Sequence, residues 1–198
     1  MNRPYLRTVL CGALLTALVS HLAVSPGLQR ATARELRCNV APRSYANITS
    51  LLASPPLATP PATTAGETLE VGSPATEAEK QAMRNVVEEW LTCQNEGKLF
   101  SAWALFSNAY LYRLISRQPP LSEAVYDAWA TPEALASATA SLLEISGERQ
   151  LADGRLGATV RISYASVPMP KQFFFYFVER NGSMLIDSIL GEISFSVP

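Results

Sequence analysis

Apolar positions along this chain follow two successive rhythms, helical spacing from Met83 and strict alternation after Ser141. Met83, Val86, Val87, Trp90 and Leu91 fall on one face of a helix,. Thr76 and Glu79 precede them as a capping box, and Asn95 and Gly97 supply residue types that tolerate a left-handed stop,. A second helix is predicted with Leu99, Ala102, Trp103 and Phe106 on one face. A third segment over 109–116 turns Leu111, Leu114 and Ile115 inward, and Gln118-Pro119-Pro120 ends it,. Ser122 and Thr131-Pro132-Glu133 each mark a further helix start,.

Beyond Ser141 the period becomes that of strands. Leu156, Ala158, Val160, Ile162 and Tyr164 alternate with Arg155, Gly157, Thr159, Arg161 and Ser163, the pattern of a half-buried strand,. Asp153-Gly154 suits a tight turn joining it to the run over 142–151, and Asn181-Gly182 suits a second hairpin into a last strand over 184–195,. Between them, Phe173, Phe174, Phe175, Tyr176 and Phe177 are apolar on both parities, which predicts a central strand covered on both faces,. In the last strand Met184, Ile186, Ser188 and Leu190 share one parity and Asp187 has the other. The fold class is therefore α+β, with N-terminal helices packed against a mainly antiparallel sheet.

The first 33 residues read differently. Arg3 and Arg7 precede an apolar run over 9–24, and Ala31-Thr32-Ala33 offers a cleavage site for a secretory signal peptide, 1–33,. Ser20 and His21 interrupt the run, which falls short of the roughly 20 apolar residues of a spanning helix,. The expected location is secreted or extracytoplasmic, with a membrane anchor as the alternative if the signal is retained. No stable membrane span is expected after cleavage. A short arm, 34–52, comes next. Residues 53–75 then form a linker in which Pro55, Pro56, Pro60, Pro61 and Pro74 sit among Ala, Thr, Ser and Gly, a composition expected to act as a tether,. The domain proper is 76–198.

Cleavage changes the charge and the available chemistry. Arg3, Arg7 and Arg30 leave, so 13 basic residues face 17 acidic ones and the net charge falls to -4. A mildly acidic surface without a basic run argues against nucleic acid as a partner. His21, the only histidine, is lost. Cys38 and Cys93 remain, and an exported pair is a candidate disulfide that would pin the arm to the first helix; a buried free Cys93 with a loose Cys38 is the alternative,. Two distant thiols cannot assemble a metal site, and no glycine-rich loop is placed to cradle phosphate, so neither metal nor cofactor is expected.

The stretch Val86-Val87-Glu88-Glu89-Trp90-Leu91-Thr92-Cys93-Gln94-Asn95-Glu96-Gly97-Lys98-Leu99, followed by Ala104-Leu105-Phe106, resembles the opening of NTF2-like (SnoaL-like) domains. The run Phe175-Tyr176-Phe177-Val178-Glu179-Arg180-Asn181-Gly182-Ser183-Met184-Leu185-Ile186 resembles their final hairpin, with Met184 where many members carry Trp. The resemblance frames residues 76–195. It implies a cone in which a curved sheet wraps around helices and leaves a cavity at its wide end, and it implies dimerisation through the outer face of the sheet.

Within such a family the residues limit the chemistry. A dehydratase of this type relies on histidine, which the mature chain lacks. An epoxide-hydrolase set needs two aspartates and an arginine in the cavity, and Asp127, Asp153 and Asp187 are the only aspartates. Asp153 is committed to a turn, and Asp187 faces away if Ile186 faces the cavity. An isomerase or lyase would need a base such as Asp127 or Glu192 beside a tyrosine,. On the segments that approach such a cavity lie Trp103, Tyr110, Tyr126, Trp129 and Tyr164, polar-tipped aromatics suited to a small apolar ligand,. Trp90, Trp103 and Phe106 fit a plain core, and Tyr126 and Trp129, on a loop between helices, fit either the rim of a pocket or plain surface,. The favoured function is a non-catalytic exported domain that binds a small apolar ligand or acts as an interaction or homodimerisation module. The alternative is a histidine-free isomerase or lyase using a cavity carboxylate and a tyrosine.

Overall fold

Ser44 opens the first element: its hydroxyl accepts the Asn47 amide at 3.2 Å and caps helix α1, Tyr45–Ala53,. The computed structural model describes residues 37–56, 72–131 and 139–191. Residues 1–33, read as a signal peptide, linker residues 57–71, the helix start at Pro132-Glu133 and the candidate base Glu192 lie outside the described residues.

Helix α2, Glu77–Asn95, begins at the expected capping box: Thr76 Oγ1 accepts the Glu79 amide, and the Glu79 carboxylate accepts the Thr76 amide at 2.7 Å,. Its stripe of Met83, Val86, Val87, Trp90, Leu91 and Cys93 is buried. Gly97 takes the left-handed turn at φ 70°,. Asn95 does something else. Its amide donates to the Ala140 carbonyl and accepts the Ala140 N–H, each at 2.7 Å, tying the end of the helix to the first residue of a strand. Helix α3 spans Leu99–Ala104, α4 spans Asn108–Ile115 under a Ser107 cap, and α5 spans Glu123–Ala130 under a Ser122 cap.

Five strands form one antiparallel sheet in chain order: β1 Gly72–Pro74, β2 Ala140–Leu151, β3 Leu156–Tyr164, β4 Lys171–Arg180 and β5 Ser183–Leu190. Asn181 at φ 52° and Gly182 at φ 74° make the β4–β5 turn, both left-handed as a two-residue hairpin requires,. Strand β1 lies inside the stretch read as a tether. Gly72 pairs with Leu151, and the Ala75 N–H donates to Glu148 at 3.1 Å. All three β1 residues are exposed, so backbone pairing seats the strand and its composition does not betray it.

Two sets of side chains follow from the pleat. Ala158, Val160, Ile162, Phe173, Phe175, Phe177 and Ile186 pack with the helices. Trp90 sits among them, its ring 5.7 Å from Phe175 and 6.2 Å from Phe106, with an indole N–H that has no acceptor among the described residues. On the opposite face Leu151, Phe174 and Tyr176 are buried together against Leu190. The central strand is thus covered on both sides, and its outward rings are buried within a single chain.

Strand β5 does not keep one parity. Tyr176 pairs with Ser188 and Phe177 with Ile186, so Asp187 is the extra residue of a β-bulge,. Met184 and Ile186 face the helices, while Ser188 and Leu190 cross to the other face; the single-parity assignment from sequence fails at this bulge. The outer side of β5 is met by the segment before α4. Phe106 bridges Ile186 in parallel, and the Ser107 and Ile186 amides donate to Ile186 and Leu105 carbonyls at 2.9 Å.

The arm packs among the helices. A disulfide joins Cys38 to Cys93, and Ile48 and Leu51 enter the helix-side core. Glu96 accepts the Cys38 amide at 2.9 Å, and Lys98 donates to the Cys38 carbonyl at 3.1 Å.

Candidate functional site

Phe100 and Trp103 lie three residues apart on α3, and Tyr126 and Trp129 three apart on α5, so each helix presents two rings on one face,. The two faces meet. Trp103 and Trp129 contact edge-on with centroids 6.3 Å apart, and Phe100 stacks on Tyr126 at 4.1 Å while meeting Trp103 at 5.3 Å. Tyr45 of the arm adds a fifth ring, 5.8 Å from Tyr126. Phe100 and Trp103 are buried, whereas Tyr126 and Trp129 are half-buried and no residue of α5 is fully buried. This helix rests on α3 through its aromatic face.

Arg43 organises the junction. Its amide donates to Phe100 at 3.1 Å and its carbonyl accepts the Tyr126 hydroxyl at 2.9 Å. The guanidinium donates to the carbonyls of Trp103 at 3.1 Å and Phe106 at 2.8 Å, and to the Asn108 side chain at 2.8 Å. Every one of these acceptors is neutral. Desolvation pulls the guanidinium below its ordinary pKa.

The five aromatic candidates separate. Trp103, Tyr126 and Trp129 belong to this cluster. Tyr110, on α4, packs edge-on against Phe106 at 5.0 Å with the Arg113 guanidinium 5.6 Å from its ring, and burial pushes its phenol well above the usual range. Tyr164 ends β3 opposite Ala140, half-buried, with its phenol also raised by burial. No ring contact among the described residues joins either tyrosine to the cluster. Tyr45, Arg43 and Phe100 were not singled out from the sequence: only the docking of the arm brings the first two to α3 and α5, and Phe100, on α3 itself, lies off the face predicted from Leu99, Ala102, Trp103 and Phe106.

The carboxylates are arranged otherwise than an acid–base site requires. Asp127 is exposed on α5. Asp187 is 2 % exposed, and both its oxygens are taken: Oδ1 by the Ser107 hydroxyl at 2.5 Å and Oδ2 by Arg155 at 3.2 Å. Arg155 is itself buried, lies 4.4 Å above the Tyr176 ring, and holds Asp153 at 2.6 Å. Burial works to raise the Asp153 carboxyl, but its hydrogen bonds from Arg155 outweigh that and leave it below the ordinary range. Asp153 therefore does more than shape a turn. The Asp153–Arg155–Asp187–Ser107 chain clamps together the β2–β3 turn, the β5 bulge and the start of α4, so two aspartates and an arginine that the sequence reading kept apart do meet, beside Tyr176.

Among the described residues no cluster of three His, Cys, Asp or Glu side chains is placed to hold a metal, and no helix is long and apolar enough to cross a membrane. No protein-family model matches the chain, and no curated protein and no solved structure matches it.

Proposed function

We propose that this chain is an exported, non-catalytic binding domain, NTF2-like in architecture, that takes a small apolar or amphipathic ligand at the aromatic cluster between α3, α5 and the arm. The observation that carries this reading is α5 itself. It seats Tyr126 and Trp129, half-buried, over the buried rings of Phe100 and Trp103 and buries no residue completely. An amphipathic helix held mainly through aromatic faces with polar tips can separate from its neighbour and sandwich a flat or flexible apolar molecule. The Cys38–Cys93 disulfide supports export, because such bonds persist in oxidising compartments,.

The isomerase or lyase reading has less support. It needs a buried carboxylate bonded to a tyrosine hydroxyl; of its two candidate bases Asp127 is exposed and Glu192 lies outside the described residues, while the buried Asp187 is engaged by Ser107 and Arg155. Dimerisation through the sheet likewise loses its main ground, because Phe174 and Tyr176 are already buried within one chain.

Tryptophan fluorescence with the neutral dye Nile red tests the binding reading. Saturable dye binding that quenches tryptophan emission and weakens several-fold in Trp129→Ala is expected. Unchanged emission across the titration, with no co-purifying small molecule in native mass spectra, would overturn it.

A further inference from the structure

We infer that the ligand of the aromatic cluster is an anionic amphiphile whose head group, a carboxylate or an equivalent oxyanion, pairs with the Arg43 guanidinium. This rests on the cluster reading above and specifies its ligand class. Arg43 touches three cluster residues: Phe100 through its amide, Tyr126 through its carbonyl and Trp103 through Nε. Its backbone and its guanidinium are therefore both tied to residues that carry the cluster rings. A guanidinium carries five N–H donors in a planar fork that matches an oxyanion. The described contacts use Nε and one N–H on each terminal nitrogen, leaving one on each free of described partners.

Among the described residues the charge has no counter-ion: no carboxylate pairs with Arg43, and the three acceptors around it are two carbonyls and an amide oxygen. Desolvation by burial lowers its pKa. The Arg155 guanidinium of the same chain shows the contrast, since two aspartates compensate it. A half-buried cation held only by neutral acceptors binds an incoming anion with little competition. The bond to Asn108 is exposed, so the head group has an approach from solvent.

Competition with Nile red by decanoate and by decanol, at a pH where the acid is ionised, reads this directly. Decanoate is expected to displace the dye about tenfold more tightly than decanol, a preference that shrinks with added salt. In Arg43→Gln the preference should vanish while decanol still displaces the dye, and that retained displacement shows that the variant is folded. Arg43→Lys should keep part of the preference, since it keeps the charge but not the fork. Equal displacement by the two compounds from the unmutated protein overturns the proposal and leaves the binding reading standing. A preference that survives Arg43→Gln overturns it as well. If neither compound displaces bound dye, both the proposal and the cluster as a ligand site fall.

Discussion

The Ser107 hydroxyl donates to Asp187 at 2.5 Å while the same oxygen accepts the Tyr110 amide at 3.0 Å, so one serine both caps α4 and satisfies one oxygen of a bulged carboxylate of β5. Asp187→Ala would remove an acceptor from that serine and a counter-charge from Arg155. A loss of about 3–5 kcal/mol is expected in urea unfolding, with about 1–3 kcal/mol for Ser107→Ala. A loss below about 1 kcal/mol in Asp187→Ala would show that the clamp contributes little.

Asn95 predicts a sharper local effect. Its amide satisfies both backbone groups of Ala140, itself buried, and Asn95→Ala would orphan the two together. A destabilisation of about 2–3 kcal/mol is expected. Hydrogen exchange should localise it, with faster exchange at the Ala140 amide and little change at the β4–β5 turn.

The disulfide encloses the whole linker, with a sequence separation of 55 between its cysteines. Replacing both with serine should lower stability by about 2–4 kcal/mol, because an open chain gains loop entropy when unfolded. Both cysteines are buried, so wild-type protein should resist alkylation by a thiol reagent under reductant until denaturant is added. Rapid labelling of the native protein would contradict the docking of the arm.

Acid should weaken that docking through Glu96. Lys98, and then the Cys38 amide, hold its carboxyl below the ordinary range. A depressed folded pKa means that the unfolded chain binds more protons in the window between the two values. The stabilisation is then complete above the unfolded value, about 4.3, and is lost as pH falls through the folded one. Glu96→Gln should therefore flatten the acid limb of the stability curve, and a limb parallel to that of the wild type would remove Glu96 from the account.

Gly157 leaves no room for a methyl group. A Cβ there would stand 2.7 Å from Phe174 Cζ and 3.1 Å from Leu151 Cδ1. Gly157→Ala should cost about 1–3 kcal/mol by overpacking, and Phe174→Leu in the same chain should recover part of it.

Local signals carried the elements well where the chain itself sets them. The Thr76–Glu79 box, the stripe of α2 and the Asn181-Gly182 turn are properties of neighbouring residues, and all are read from a short window. Long-range pairing was not legible. The bulge at Asp187 depends on what β4 and Ser107 offer opposite it, so alternation alone placed Ser188 and Leu190 on the wrong face. Arg155 reads as the polar member of an alternating strand, yet it is 5 % exposed because two aspartates distant in sequence or turned back upon it meet its charge. In the candidate site, Trp103, Tyr126 and Trp129 stood out as polar-tipped aromatics. Tyr45 and Arg43 did not: the cysteine pair directs the arm to α2, but nothing near them in sequence shows which arm residues reach α3 and α5.

The margins of the sheet bear on how any partner can attach. On one margin β1 ends in Pro74, which has no N–H to offer, and β2 beside it breaks register between Leu142 and Glu144 and again between Ser146 and Arg149,. On the other, the Leu105–Ser107 backbone occupies the hydrogen-bonding groups of Ile186. At these two places a visiting strand meets a residue without an N–H and a residue whose backbone groups are already taken, so extension of the sheet into a fibre or a strand-swapped pair is resisted there,. Recognition is left to side chains and to the helical surface, where shape and charge can discriminate between ligands.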